Sequence, residues 1–397
     1  MPPNPIELLF APEELAQNEA RKRAMLELFM SGEAILVIGA GCSSRLGYPT
    51  WTQLLAELTR LARQIAADSG LNFTVDSALE RDDPLVYARV IKAWIQKSTG
   101  RLDRYYGLLW QQFKDKPIDA FHELLVKLPS RGILTTNYDP SLDIALMKVD
   151  RPLTDSYLVI EDDCASRVSE FLTSLNKGTS VPRRIAHLHG RFDRPKSIIL
   201  TDGDYIEKYR SRLSDEQRHS IRDLLRDGLG GQQPIVVDAL IDQLESAVPP
   251  WSLHRKLLWS LLATRRVVFV GFSLSDPYLG QMLALVTDDL RRWEEAIHFA
   301  IMPLSVQETA STKLRAQQLQ RNYAVGVVFY EDREGQPHFG LESLIDQIAI
   351  ACDVNSDQQV VVPSIPSTVS PATATPGPAW LQRINSIMKR RAMKDAN

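Results

Sequence analysis

The sequence predicts an α/β fold built on a parallel sheet with helices on both faces. Three observations carry that expectation. Short apolar runs recur along the chain, among them "AILVIG" (34–39), "GILTTN" (132–137) and "RRVVFVGF" (265–272). Runs without polar alternation suit strands buried on both faces. Long stretches of helical periodicity separate them, as the crossovers of a parallel sheet require. Two of the runs end in glycine, at Gly39 and Gly271, where a strand turns sharply into the next element.

Taken in order, residues 12–30 read as a helix with an acidic start and periodic Leu and Met positions. The first strand candidate, 34–39, comes next. From Trp51 the pattern turns helical, with Leu54, Leu55, Leu58, Leu61 and Ala62 at helical spacing, and it stays helical to Leu128. Residues 132–137 and "RRIAHLHG" (183–190) are further strand candidates, and "IILTDGDY" (198–205) reads as a short extended segment ending in a turn. Residues 205–264 look mostly helical and polar. The last strand candidates are 265–272, "IHFAIM" (297–302) and "YAVGVVFY" (323–330). Pro, Ser, Thr and Val dominate residues 356–379, a composition expected of a flexible linker. Beyond it, Trp380, Leu381, Ile384, Ile387 and Met388 fall on one face of a short helical pattern, ahead of the basic residues of 389–394. A helix this short is marginal alone, so the segment is expected to dock on a second copy or on a partner protein.

Composition narrows the class. The chain has 397 residues, 44% hydrophobic and 24% charged, which is usual for a globular protein. A formal charge of -3 gives no electrostatic reason to expect direct nucleic-acid binding. Its three cysteines, Cys42, Cys164 and Cys352, lie far apart and form neither a disulfide framework nor a CxxC pair. No leader pattern or run of about 18 apolar residues appears, so a cytoplasmic protein without membrane contact is the expectation.

Four short motifs carry the chemistry. Gly39-Ala40-Gly41-Cys42-Ser43 comes directly after a buried strand, where backbone N–H groups can hold the oxygens of a pyrophosphate. The same glycines also serve a plain strand-to-helix turn. A dehydrogenase fingerprint would want a third glycine where Ser44 stands and an acid closing a second strand, whereas Glu57 lies in a helical pattern. There is no GxxxxGK[ST] either. "TTNYD" then places Thr136, Asn137 and Asp139 at the carboxyl end of a strand, where ligands bind in open α/β sheets. Asn137 and Asp139 would alternatively cap the next helix. "HLHG" offers His187 and His189, which alternation puts on one face, with His189 at the strand end before Gly190. An imidazole there suits proton exchange near neutrality; a zinc pair would lack completing Cys, Asp or Glu ligands. "GFSLSDP" repeats the strand-then-glycine device at Gly271 and Ser273, with Asp276 as a helix cap. The remaining histidines, 122, 219, 254, 298 and 338, read as structural.

The ordered set GAGxS, TTNYD, LHG and GFSxSDP resembles the prokaryotic SIR2-like family, relatives of the sirtuins, over roughly residues 39–350. That resemblance implies a Rossmann-like domain over residues 1–350 with a helical insertion, and NAD as substrate. By position, Gly39, Ala40, Gly41 and Ser43 match the glycine-loop contacts to pyrophosphate. Pro49 and Trp51 lie where sirtuins have a flexible cofactor-binding segment. Asn137 and Asp139 match the Gln-Asn-x-Asp motif, with Thr136 replacing its Gln. His189 matches the catalytic histidine, and Gly271 with Ser273 match the later phosphate and ribose loop. Deacylating sirtuins carry a four-cysteine zinc module, which three cysteines cannot build. The resemblance therefore implies NAD hydrolysis in bacterial antiviral defence, catalysed by Asn137 and His189 without a metal. It also implies a homo-oligomer and a partner such as a HerA-like ATPase, an Argonaute-type protein or another sensor, with any nucleic-acid contact made through that partner. A nucleotide sensor that binds NAD or ADP-ribose without turnover, and a protein deacylase, are the alternatives.

Overall fold

A computed structural model describes residues 9–149, 157–161, 164–176, 185–209, 252–272, 274, 276–290, 296–304, 309–332 and 339–354, together with Asp223. The expected linker (356–379), the C-terminal segment (380–397) and Ser273 lie outside the described residues.

A first helix, α1 (Pro12–Met30), leads into β1 (Ile35–Ile38), a one-turn helix α2 (Ala40–Ser43) and a 3-10 turn (Ser44–Leu46). Then come α3 (Trp51–Ser69), α4 (Ser77–Asp82), α5 (Pro84–Thr99), α6 (Asp103–Phe113) and α7 (Ala120–Lys127). Next are β2 (Gly132–Thr135), α8 (Ser141–Val149), β3 (Tyr157–Val159), α9 (Ala165–Ser174), β4 (Ile185–His187) and α10 (Asp202–Tyr209). The rest is α11 (Leu253–Thr264), β5 (Val267–Val270), α12 (Pro277–Asp289), β6 (His298–Leu304), α13 (Thr309–Tyr323), β7 (Val325–Glu331) and α14 (Phe339–Ala351).

Seven parallel strands form one sheet in the order β3-β4-β2-β1-β5-β6-β7, a Rossmann-like α/β architecture. The apolar runs are buried on both faces, and alternate residues feed two separate cores. Ile35 and Val37 pack with Val168, Leu257, Leu261 and Met282 from α9, α11 and α12. Leu36 and Ile38 pack with Phe29, Leu125, Leu142 and Ile345 from α1, α7, α8 and α14. Each such side chain contributes about 1.5–3 kcal/mol by burial. A third cluster, with Leu54, Leu58, Ile91 and Leu109, joins α3, α5 and α6 into a helical layer over one end of the sheet.

Strand order reverses beside β1, since β2 lies on one side of it and β5 on the other. Ligand crevices of open α/β sheets form at such a reversal, outside the carboxyl ends of the strands. The loops after β1, β2, β4 and β5 all open there.

One sequence expectation changes, and one strand has no counterpart in the sequence reading. Residues 198–205 are not an extended strand: the segment ends in α10, because "TDGD" is a helix start. Thr201 Oγ1 accepts from Asp204 N at 3.2 Å, and Asp204 Oδ2 accepts from Thr201 N at 2.9 Å. The edge strand β3 has only three residues, too few for a periodic signal. Of the helical 205–264 stretch, α10 and α11 form the described ends. Among the described residues no helix is long and apolar enough to cross a membrane.

Candidate active site

The crevice is a cavity of about 680 Å³. Every candidate site residue lines it except Gly39 and Ser273, the latter outside the described residues: Ala40, Gly41, Ser43, Pro49, Trp51, Thr136, Asn137, Asp139, His189 and Gly271 meet on its walls. Tyr48, Leu85, Phe113, Tyr205, Phe272 and Asp276 line it as well.

The glycine loop is shaped first by a neighbouring loop. Gly39 N donates to Val270 O at 2.9 Å, Gly41 N to Gly271 O at 2.9 Å, and Cys42 N to Gly39 O at 3.1 Å. A Cβ on Gly41 would lie 2.9 Å from the Gly271 carbonyl oxygen, and one on Gly39 would lie 2.6 Å from it. Close backbone approach is thus what demands glycine. These amides, expected to be open for a ligand, are already paired within the protein.

Asn137 is fixed just beyond β2. Thr135 Oγ1 donates to Ile38 O at 2.8 Å and accepts from Asn137 N at 3.0 Å, which pins the strand end. The Asn137 amide nitrogen donates to Gly39 O at 3.1 Å and to Ser43 Oγ at 2.8 Å. Because a carbonyl can only accept, the amide orientation is determined. Asn137 is only 6% exposed, and its Oδ1 is buried with no hydrogen-bond partner. A buried acceptor left open is costly and rare, about 1–3 kcal/mol. Helix capping falls to Asp139 alone, whose Oδ1 accepts from Ser141 N at 3.0 Å.

The two histidines of "HLHG" separate. β4 ends at His187, so strand alternation does not reach His189. His187 is fully buried, with Nδ1 3.1 Å from the Asn137 carbonyl oxygen and Nε2 3.2 Å from both oxygens of Asp143. Arg191 Nε reaches Asp143 at 2.9 Å, and its guanidinium lies 4.3 Å from the Tyr157 ring centroid. His187 therefore belongs to a buried ionic cluster behind the loop that carries Asn137.

His189 faces the cavity. Gly190, at φ +87, permits the turn after it, since a Cβ there would lie 2.3 Å from Ser197 O. Tyr205 Oη lies 3.4 Å from His189 Nδ1 and donates to Asp276 Oδ2 at 2.7 Å. Asp276 Oδ2 is 3.9 Å from His189 Nε2. Burial pushes the imidazole below its ordinary range, opposed by the Asp276 charge. The ring is therefore neutral at pH 7 and able to accept a proton.

Sequence reading misses Tyr205 and sees only a cap in Asp276. Asp276 does cap α12, its Oδ1 accepting from Tyr278 N at 2.9 Å and Leu279 N at 3.1 Å. Its second oxygen serves the histidine. Among the described residues no cluster of three His, Cys, Asp or Glu side chains is placed to hold a metal. Of the cysteines, Cys42 and Cys164 are buried in cores on opposite faces of the sheet.

Comparison with known proteins points to one family. The family model for the SIR2-like domain matches residues 131–327, a span that includes Asn137, His189 and Asp276 but not the glycine loop. The chain is 23% identical over 274 residues to the NAD(+) hydrolase ThsA of Bacillus cereus (strain MSX-D12), covering 69% of this chain and 44% of that protein. It is 24% identical over 284 residues to the NAD(+) hydrolase ThsA of Enterococcus faecium, with 71% and 45% covered. It is 22% identical over 265 residues to Defense-associated sirtuin 2 of Bacillus subtilis, with 66% and 20% covered. The chain thus spans less than half the length of each of these relatives.

Proposed function

We propose, from the premise that the chain belongs to the SIR2-like family, that it hydrolyses NAD+ to ADP-ribose and nicotinamide. The observation that carries this reading is that the side chains of Asn137 and His189 line one cavity, with the Asn137 amide held by Gly39 O and Ser43 Oγ and its Oδ1 without a hydrogen-bond partner. An acceptor without a partner suits a ribose hydroxyl or the attacking water, and a neutral imidazole suits the proton that water loses. The names of two relatives supply the substrate.

The bond to break joins nicotinamide to C1′ of its ribose. As it stretches, the sugar takes oxocarbenium character, and catalysis rests on stabilising that charge and placing the water. Asn137 holds the ribose or water through Oδ1, while its amide nitrogen stays bound to Gly39 O and Ser43 Oγ. His189 takes the proton as general base, a contribution of typically 10²–10⁴-fold. Ala40, Gly41, Ser43, Thr136 and Gly271 serve the diphosphate and ribose, and Pro49 and Trp51 line the cavity beside them. In the cell this activity acts as the effector of an antiviral defence system, depleting NAD+ once a partner assembly switches it on.

The test is product analysis. Full-length protein incubated with NAD+ should release nicotinamide and ADP-ribose, and adding an acetyl-lysine peptide should change neither. Peptide-dependent nicotinamide release with O-acetyl-ADP-ribose would make the protein a deacylase, and tight NAD+ binding without turnover would make it a sensor.

A further inference from the structure

Tyr205 stands between His189 and Asp276, and its single proton has one destination. The hydroxyl donates to Asp276 Oδ2 at 2.7 Å, so toward His189 Nδ1, 3.4 Å away, it can only accept. We infer that Tyr205 and Asp276 are positioning residues that hold His189 as its Nδ1–H tautomer, leaving the Nε2 lone pair for the reaction. The inference rests on the proposed NAD+ hydrolysis and assigns the proton traffic within that site.

Both partners are themselves held in place. Asp276 cannot rotate freely, because its Oδ1 accepts two amides of the helix it caps, Tyr278 N and Leu279 N. That cap aims Oδ2 at the phenol. The Tyr205 ring stacks on Tyr278, with centroids 4.6 Å apart and planes 13° apart, and meets the His189 ring edge-on at 5.1 Å. Tyr205 and Tyr209 face the imidazole from α10, and Asp276 faces it from the start of α12. A wrong tautomer would turn N–H toward the substrate water and leave no base.

The reaction balances through these atoms. Water gives a proton to Nε2 of His189, and its oxygen forms the new bond to C1′. The C1′–N bond breaks, its electron pair leaving with nicotinamide, which becomes neutral. The imidazolium so formed has the Asp276 carboxylate 3.9 Å from Nε2, and it returns the proton to solvent. The sum is NAD+ and water giving ADP-ribose, nicotinamide and a proton.

Tyr205→Phe in the full-length chain tests the assignment, because it keeps the stacked ring and removes only the hydroxyl. Orienting partners of a histidine are worth about 10–100-fold. The expected result is a kcat lowered by roughly that factor with KM for NAD+ nearly unchanged. Histidine ¹⁵N NMR should show His189 protonated at Nδ1 in the unsubstituted protein and a mixture of tautomers in the variant. Asp276→Asn, which keeps an oxygen for the helix cap, should lower kcat by a similar factor. A kcat for Tyr205→Phe within twofold of the unsubstituted protein, or His189 protonated at Nε2, would overturn the inference. If the unsubstituted protein releases no nicotinamide, NAD+ hydrolysis itself fails, and the NMR result still decides the tautomer.

Discussion

The amide of Gly41 donates to the carbonyl of Gly271 at 2.9 Å, so the loops after β1 and β5 meet backbone to backbone at the reversal of the sheet. Gly271 adopts φ +63, and a Cβ on it would lie 2.6 Å from Cys42 Sγ and 2.7 Å from Cys42 N. The two glycine motifs, separate in the sequence, form one contact.

Substitution there should cost stability before it costs binding. Gly271→Ala and Gly41→Val each force a side chain into occupied space, an overpacking cost of about 1–3 kcal/mol. Urea unfolding should show midpoints lowered accordingly. An unchanged midpoint with weakened NAD+ binding would return these glycines to a purely ligand-facing role.

Asn137 carries two loads that substitution can separate. Asn137→Ala should reduce NAD+ cleavage by about 10²-fold or more, the scale of a lost transition-state hydrogen bond. It should also destabilise the fold by about 1 kcal/mol, because Gly39 O loses one of its two donors, keeping Cys42 N, and Ser43 Oγ loses its amide partner. Asn137→Asp keeps an acceptor but cannot donate to Gly39 O, and should fail on both counts. Steady-state kinetics beside denaturant unfolding measure the two effects. Full stability with lost activity would mean that the Gly39 bond contributes nothing.

The acid limb of stability should trace to His298. Burial, aided by Arg266, pushes its pKa down from 6.5 to about 4. Its Nδ1 accepts from Val267 N at 3.3 Å, which requires the neutral ring. The unfolded chain takes up this proton first, so stability falls as the pH drops from about 6.5 toward 4, by about 3 kcal/mol in full. His189, also lowered by burial, adds to the same limb with the same sign. His298→Asn removes the titration and should flatten the profile of unfolding free energy between pH 7 and 4. A slope unaltered by the substitution would place the acid sensitivity elsewhere.

Cleavage should be independent of metal. Treatment with EDTA is expected to leave NAD+ turnover unchanged; loss of activity restored by zinc would instead give His187 and His189 a ligand role.

A residue is legible in the sequence to the extent that its role depends on its immediate neighbours. Buried strands announce themselves as apolar runs, so β1, β2 and β5 are readable, and with β2 the end where Asn137 stands. Asn137 and Asp139 cannot be separated by pattern, since both suit a cap; only the hydrogen bonds give the cap to Asp139 and the glycine loop to Asn137. The split of His187 from His189 depends on where β4 stops, which no periodicity marks. Tyr205 escapes sequence reading because its role lies in contacts with Asp276 and His189, 71 and 16 residues away. The start of α10 is hidden because "IILT" resembles a strand until Asp204 closes the cap.

The most direct measurement is the conversion of NAD+ by three full-length proteins side by side: unsubstituted, His189→Ala and Asn137→Ala. Nicotinamide and ADP-ribose are quantified by liquid chromatography with mass spectrometry. Equal amounts of the two products are expected from the unsubstituted protein, and rates at least about 10²-fold lower from both variants. Intact NAD+ with the unsubstituted protein, or equal turnover by all three, would contradict this expectation.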